Sequence, residues 1–169
     1  MELYILENYK EFFPDLKGSE LTDRLVISVL EEYGKKGVSI IRNKNGKPFT
    51  DVPGLFISAS HSGIYFACLV SDRPVGVDIQ EERRIDPNKI AGRYFTEREK
   101  KYIQKRGSKG FFELWTRKEA YSKYTGNGIK DIIAGISVIE REDVEFFDFQ
   151  IGNGMYLSCC GKISDQDVL

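Results

Sequence analysis

Three short stretches of this 169-residue chain carry side chains that could do chemistry together: Ser58–Gly63 (SASHSG), Gly76–Gln80 (GVDIQ) and Trp115–Lys123 (WTRKEAYSK). In GVDIQ, Asp78 lies within an apolar, strand-like run, where an unpaired carboxylate is costly to desolvate and so needs a cation or several donors. A metal ion and an arginine partner answer that need equally well. In WTRKEAYSK, Glu119 and Lys123 are four apart and share a helix face, with Trp115 one turn earlier anchoring that face in the core. Lys118 points about a quarter-turn away. Taken alone, Glu119 and Lys123 are a surface pair worth roughly a few tenths of a kcal/mol. A strand carboxylate set against a helix carboxylate is different: it is an oxygen-only, two-acid site that suits Mg²⁺, completed by water and a substrate phosphate. SASHSG places the chain's one histidine, His61, in a small turn just after a strand. There Ser60 and Ser62 offer donors, Gly63 lets the backbone approach a ligand, and the imidazole can add a charge-assisted bond to phosphate oxygens. The case for His61 rests on the other two stretches.

Several elements must position these groups. Leu3 to Leu6 reads as a strand, followed by a helix from about Leu21 to Tyr33 with Leu21, Leu25, Ser28, Val29 and Glu32 on one face. Ile40 to Arg42 reads as a strand, Asn43 to Pro48 as a turn, and Phe56 to Ser58, Phe66 to Ser71 and Val75 to Ile79 as successive strands. Helical periodicity follows over Asn88 to Tyr94 and Thr96 to Arg106, where Thr96 and Glu99 form a capping box. A further helix is expected from Ser108 to about Thr125, stopped by Gly126 and Gly128. Gly135 to Glu140, Val144 to Ile151 and Met155 to Cys160 alternate as three antiparallel strands. The fold class is therefore α+β, with two α+β halves, residues 1–72 and 73–169, whose sheets pack together around a cleft.

Composition sets the outer bounds. Hydrophobic residues make up 41% and charged residues 30%, which excludes collagen-like, mucin-like and largely disordered chains. The three cysteines include a vicinal pair and form no CxxC or Cys/His pattern, so neither a disulfide scaffold nor a zinc module is indicated. With no secretory signal and no apolar run of bilayer length, a cytoplasmic protein is expected. The net charge of −1 conceals a segregation: Arg83 to Lys130 holds fourteen basic and five acidic residues. Such a window is either a solvated helical surface or an attraction for an acidic protein, a polyphosphate or nucleic acid. No recognisable nucleic-acid motif accompanies it, which ranks that partner last.

The order and spacing of SHSG, GVDIQ, RYFTEREKKYI and WTRKEAYSK, with GKPF at Gly46–Phe49 upstream, resemble a 4′-phosphopantetheinyl transferase of the surfactin-synthetase-activating type. The resemblance covers Gly46 to about Ser137. It implies a fold of two pseudo-symmetric halves and transfer of the phosphopantetheine arm of coenzyme A to a carrier-protein serine, with release of adenosine 3′,5′-bisphosphate. By position, it implies Asp78 and Glu119 as Mg²⁺ ligands, Glu119 also as the group that activates the serine, and Lys123 as support for the phosphates and leaving group. Lys47, Ser60, His61 and Lys118 match positions that contact coenzyme A. The basic window, with Arg93, Arg98 and Lys101, would dock the acidic helix of an acyl or peptidyl carrier protein. The residue types suit that chemistry, because attack on a diphosphate is slowed mainly by charge and poor alignment, which a metal and lysines relieve without an enzyme nucleophile.

Two departures stand out. Gln80 replaces the second acid of the family's GxDxE motif, although its amide oxygen can still face Mg²⁺ or a bound water. The front half is shorter than usual for this type, leaving Lys17 and Arg24 as the nearest substitutes for the basic residues that hold the nucleotide end. These departures are the grounds for a rival reading, a carrier-binding scaffold of the same fold with weak or no catalysis. A monomer is expected, since both halves lie in one chain.

Overall fold

A computed structural model describes residues 1–43, 46–152 and 154–162. Along the chain run β1 (Glu2–Glu7), a 3-10 turn (Tyr9–Glu11), α1 (Gly18–Glu32), β2 (Ile40–Arg42), β3 (Pro48–Thr50), β4 (Phe56–Ser62), β5 (Tyr65–Ser71) and β6 (Val75–Glu81). After these come α2 (Pro87–Tyr94), α3 (Glu97–Thr125), α4 (Ile129–Ile133), β7 (Glu145–Ile151) and β8 (Met155–Gly161). The fold is α+β. Two antiparallel three-stranded sheets, ordered β1-β5-β4 and β6-β8-β7, are accompanied by the small β2-β3 hairpin. Each large sheet carries a helix. Leu21, Leu25, Val26, Val29 and Leu30 of α1 pack with Ile57, Phe66 and Val70, whereas Ser28 and Glu32, expected on that stripe, stay outside the buried set. Between the sheets, Ala67 and Leu69 of β5 meet Val75, Val77 and Ile79 of β6 and Leu157 of β8.

Strand alternation in β6 sends Val75, Val77 and Ile79 into that layer, and so turns Gly76, Asp78 and Gln80 to the other face, which α3 covers. The approach there is very close. A methyl group at residue 76 would fall on the Ala120 carbonyl oxygen and within 2.6 Å of the Tyr124 amide nitrogen. Glycine is what lets backbone touch backbone, and the contact brings one turn of α3 against Asp78.

Helix α3 opens with the expected capping box: the Thr96 hydroxyl accepts from Glu99 N, and the Glu99 carboxylate accepts from Thr96 N at 2.8 Å. The two helices expected on either side of residue 107 form one element with a break at Gly107, whose φ of 63° and ψ of −144° are non-helical and suit glycine. Across that break, buried Lys118 pairs with buried Glu99 at 3.0 Å, donates to the Ile136 carbonyl at 2.6 Å and lies over the Phe95 ring.

Residues 135–140 are not a strand, contrary to the alternation. Val138 N donates to Glu99 Oε1 at 2.8 Å in place of a ladder partner, and the apolar alternation reflects docking of Ile136 and Val138 into the α3 core. Helix α4, which precedes this loop, had no sequence signal of its own. Strand β4 also runs further than expected, so His61 and Ser62 belong to the strand. In the Asn43–Pro48 turn, Lys44 and Asn45 lie outside the described residues. Among the described residues no helix is long and apolar enough to cross a membrane.

Two stability measurements follow. Gly76→Ala should lower unfolding free energy in urea by about 1–3 kcal/mol or more, because overpacking here strikes backbone that cannot swing aside. Lys118→Met should cost about 3–5 kcal/mol by leaving Glu99 charged, buried and unpaired, and adding Glu99→Gln should recover part of that loss.

Candidate functional site

Asp78 is 2% exposed and accounts for its charge through three side chains. Its Oδ1 accepts from the Ser60 hydroxyl at 2.7 Å and from the Lys123 ammonium at 2.8 Å, and its Oδ2 accepts from the Gln80 amide at 3.0 Å. Glu119, one turn before Lys123 on α3, makes no hydrogen bond or ion pair among the described residues, and its half-buried carboxyl feels the charge of Asp78. Burial pushes the Glu119 pKa above the ordinary carboxylate value and the charge of Asp78 pushes it further, with Lys123 opposing both. Two carboxylates held together at raised electrostatic cost suit a divalent cation. Among the described residues no group of three His, Cys, Asp or Glu side chains converges, because the third position of this cluster is the amide of Gln80. The donor set of two acids and an amide fits Mg²⁺, an ion that keeps several waters and shares its sphere with substrate phosphates.

The serines of β4 have divided duties. Ser58 Oγ accepts from Val77 N at 3.0 Å and Ser62 Oγ accepts from Glu81 N at 2.9 Å, so both bridge the sheets, while Ser60 alone reaches Asp78. His61 sits at the exposed end of β4 with its ring 5.4 Å from that of Tyr9. Partial burial lowers its pKa, helped by Lys123 and Lys10 and resisted by Asp78. Lys47 donates to the Lys123 carbonyl and, at 3.4 Å, to that of Tyr124, closing the C-terminal end of α3 just before Gly126, whose φ of 76° ends the helix. Burial lowers the Lys47 pKa.

Three adjoining cavities make one groove past these residues. The first, about 280 Å³, lies between Lys47, Ile57, Glu119, Lys123 and Ile129. The second, about 230 Å³, shares Lys123 with the first and adds Arg42, Ser60 and His61. The third, about 410 Å³, shares His61 and Thr22 with the second and ends at Tyr9, Lys10 and Lys17. Anionic ligand chemistry suits its length, since Lys47, Lys123, Arg42, Lys10 and Lys17 succeed one another along it.

Most of the expected residues therefore meet: Asp78, Gln80, Glu119, Lys123, Ser60, His61 and Lys47 line the cluster or its groove. Lys118 does not. Its helical offset from Glu119 turns it into the core against Glu99, which removes it from the set of ligand contacts. Arg24 lies over the Phe13 ring at 5.3 Å and does not line the groove, whereas Lys17 does. Arg93 and Lys101 are exposed, and Arg98 is paired with Glu140. Arg42, Lys10 and Tyr9 escaped the sequence reading. Tyr9 and Lys10 lie in a short 3-10 turn with no periodicity to flag them, and Arg42 reaches the groove only because β2 pairs with the GKPF strand.

Comparison with known proteins agrees with this geometry. The profile of the 4′-phosphopantetheinyl transferase superfamily matches residues 74–160, the segment from β6 into β8 that supplies Asp78, Gln80, Glu119 and Lys123. The 4′-phosphopantetheinyl transferase gsp of Aneurinibacillus migulanus is 32% identical over 173 residues, covering 93% of this chain and 72% of that protein. Psf-1 of Bacillus pumilus is 38% identical over 59% of this chain and 44% of its own length, and Sfp of Bacillus subtilis (strain 168) is 29% identical over 71% and 55%. The chain thus spans about half the length of the last two relatives. On this match and this similarity, the chain belongs to the 4′-phosphopantetheinyl transferase superfamily.

Proposed function

We propose that this protein transfers the 4′-phosphopantetheine group of coenzyme A to a serine hydroxyl of an acyl or peptidyl carrier protein, with Mg²⁺ as cofactor. The observation that carries the proposal is the meeting of Asp78, Glu119 and Lys123 on a groove that continues, past His61 and Arg42, to Lys10 and Lys17. In this reading the groove takes coenzyme A lengthwise. The nucleotide end lies by Tyr9, Lys10 and Lys17, and the diphosphate by His61, Arg42 and Lys123. Asp78 and Glu119 would hold Mg²⁺ with Gln80 beside them, and the ion would supply neutralisation of diphosphate charge.

The remaining chemistry falls to the chain. The carrier serine oxygen forms a bond to the phosphorus that bears pantetheine, and the bridging P–O bond breaks to release adenosine 3′,5′-bisphosphate. The serine proton passes to the Glu119 carboxylate directly or through water. Lys123 holds charge on the leaving diphosphate oxygen. An acidic carrier helix would meet exposed Arg93 and Lys101, with Arg98 available on exchange of its Glu140 partner. The buried, free state of Cys68, Cys159 and Cys160 suits action in a reducing cytoplasm, and two three-stranded sheets within one chain suit a monomeric unit built of halves 1–72 and 73–169.

With Mg²⁺ and coenzyme A, the protein should add about 340 Da to an apo carrier protein, read by intact-protein mass spectrometry. Asp78→Ala and Glu119→Ala should each lower the rate by ~100-fold or more with folding intact. Absence of added mass on several acyl and peptidyl carriers would favour the scaffold reading that Gln80 invites. Because Glu119 must be ionised to hold Mg²⁺ and to accept a proton, the rate should fall in acid as its carboxyl is protonated, and Glu119→Gln should remove that limb. In metal-free protein the raised pKa of Glu119 has a stability consequence. An acid with a raised folded-state pKa makes the native state costlier to ionise, so the cost is absent below 4.5, the ordinary value, and develops as pH rises through the raised one. Glu119→Gln should therefore raise Tm at neutral pH and leave it unchanged in acid.

A further inference from the structure

Lys123 is placed between two anionic demands. Its ammonium donates to Asp78 Oδ1 at 2.8 Å, on the oxygen that already receives the Ser60 hydroxyl, while Gln80 fills Oδ2 with an amide N–H. The strand carboxylate is thus neutralised by a helix cation, and Gln80 brings no second charge. With Glu119 ionised, two carboxylates and one ammonium leave this cluster a single negative charge. The same lysine lines both the cavity that holds Glu119 and the one that holds His61 and Arg42. Its side chain is 28% exposed, so the ammonium can turn into the groove on its flexible stem, whereas Asp78, at 3%, cannot follow it. The two other cations that line these two cavities are committed elsewhere, Lys47 to the carbonyls at the end of α3 and Arg42 to Asp23.

We infer that Lys123 is a shared counter-ion that makes a divalent cation and a diphosphate ester bind as a pair, each weakly alone and each strengthening the other. A divalent cation arriving alone meets an Asp78 already neutralised and an ammonium that repels it. A diphosphate arriving alone meets Lys123 engaged with Asp78 and the Glu119 carboxylate in the same cavity. When both arrive, Lys123 moves to the phosphate oxygens and leaves Asp78 and Glu119 to the cation, so every charge gains an opposite neighbour. Linkage requires the strengthening to be reciprocal. This inference rests on the reading of the groove as a diphosphate site, and the measurement below separates the failure of one from the failure of the other.

Isothermal titration calorimetry of the full chain, with MgCl₂ and coenzyme A as probes and no carrier protein, tests it without turnover. Association of Mg²⁺ with coenzyme A in buffer is measured separately and subtracted. Saturating coenzyme A should tighten Mg²⁺ binding at least tenfold, a coupling of about 1.4 kcal/mol, and saturating Mg²⁺ should tighten coenzyme A by the same factor. Lys123→Met, with its fold verified by circular dichroism, should bind Mg²⁺ alone at least threefold more tightly than the parent, bind coenzyme A more weakly, and show little coupling. Equal Mg²⁺ affinity in the parent with and without coenzyme A would overturn the shared counter-ion, as would a folded Lys123→Met with unchanged or weaker Mg²⁺ affinity. If Lys123→Met does not fold, Lys123→Gln takes its place in the same titrations, with the same outcomes deciding. Failure of coenzyme A to bind under any condition would instead remove the diphosphate site itself.

Discussion

The contact of α3 with β6 at Gly76 is the constraint on which the rest of the site depends. A strand can present a carboxylate and a helix can present a carboxylate and an ammonium, but neither has them within reach of the other unless the two backbones come to van der Waals distance. Absence of a side chain at residue 76 permits that approach, and the Ala120 carbonyl fills the space. The period of two along β6 then places Asp78 on the same face as Gly76, and the period of 3.6 along α3 places Glu119 and Lys123 on the face that covers it. The geometry of the cluster is therefore a property of helix–sheet packing, and it is held by elements far more rigid than a loop.

Electrostatics complete what packing begins. At one end of α3, Glu99 joins a helix cap, the loop at Val138 and Lys118, so the element that presents Glu119 is fastened by a buried ion pair through the neighbouring residue. At the other end, Lys47 binds the carbonyls of Lys123 and Tyr124, where the helix dipole is negative. The two lysines that flank Glu119 in sequence have opposite fates for a reason visible in the helical wheel: Lys123 shares its face and Lys118 does not.

Much of this was legible in the sequence. Asp78 in an apolar run, and Glu119 with Lys123 four residues on, are local signals whose meaning survives folding, as are the Thr96–Glu99 cap and the break at Gly107. What was not legible depends on contacts distant in sequence. Alternation over residues 135–140 suggested a strand, but its apolar residues serve a loop docked on a helix, where Val138 is buried and Ile136 and Ile139 are partly so. His61 read as a turn residue because serine and histidine are weak strand formers. The ladder with β5, which pairs His61 with Phe66, overrides that weakness. The role of Lys118 was hidden because its partner, Glu99, lies on the far side of the helix break.

The hydroxyls of β4 carry one more implication. Sheets usually finish an exposed edge with backbone partners, and β6 finishes part of its own with Ser58 and Ser62, whose Oγ atoms receive the amides of Val77 and Glu81. Those oxygens are spent on architecture, so the alternating serine pattern of this strand is a clasp between two sheets rather than a row of ligand donors. Larger or hydroxyl-free residues there would leave amide hydrogens stranded in the seam and misalign Ser60, the single rung that touches the acid.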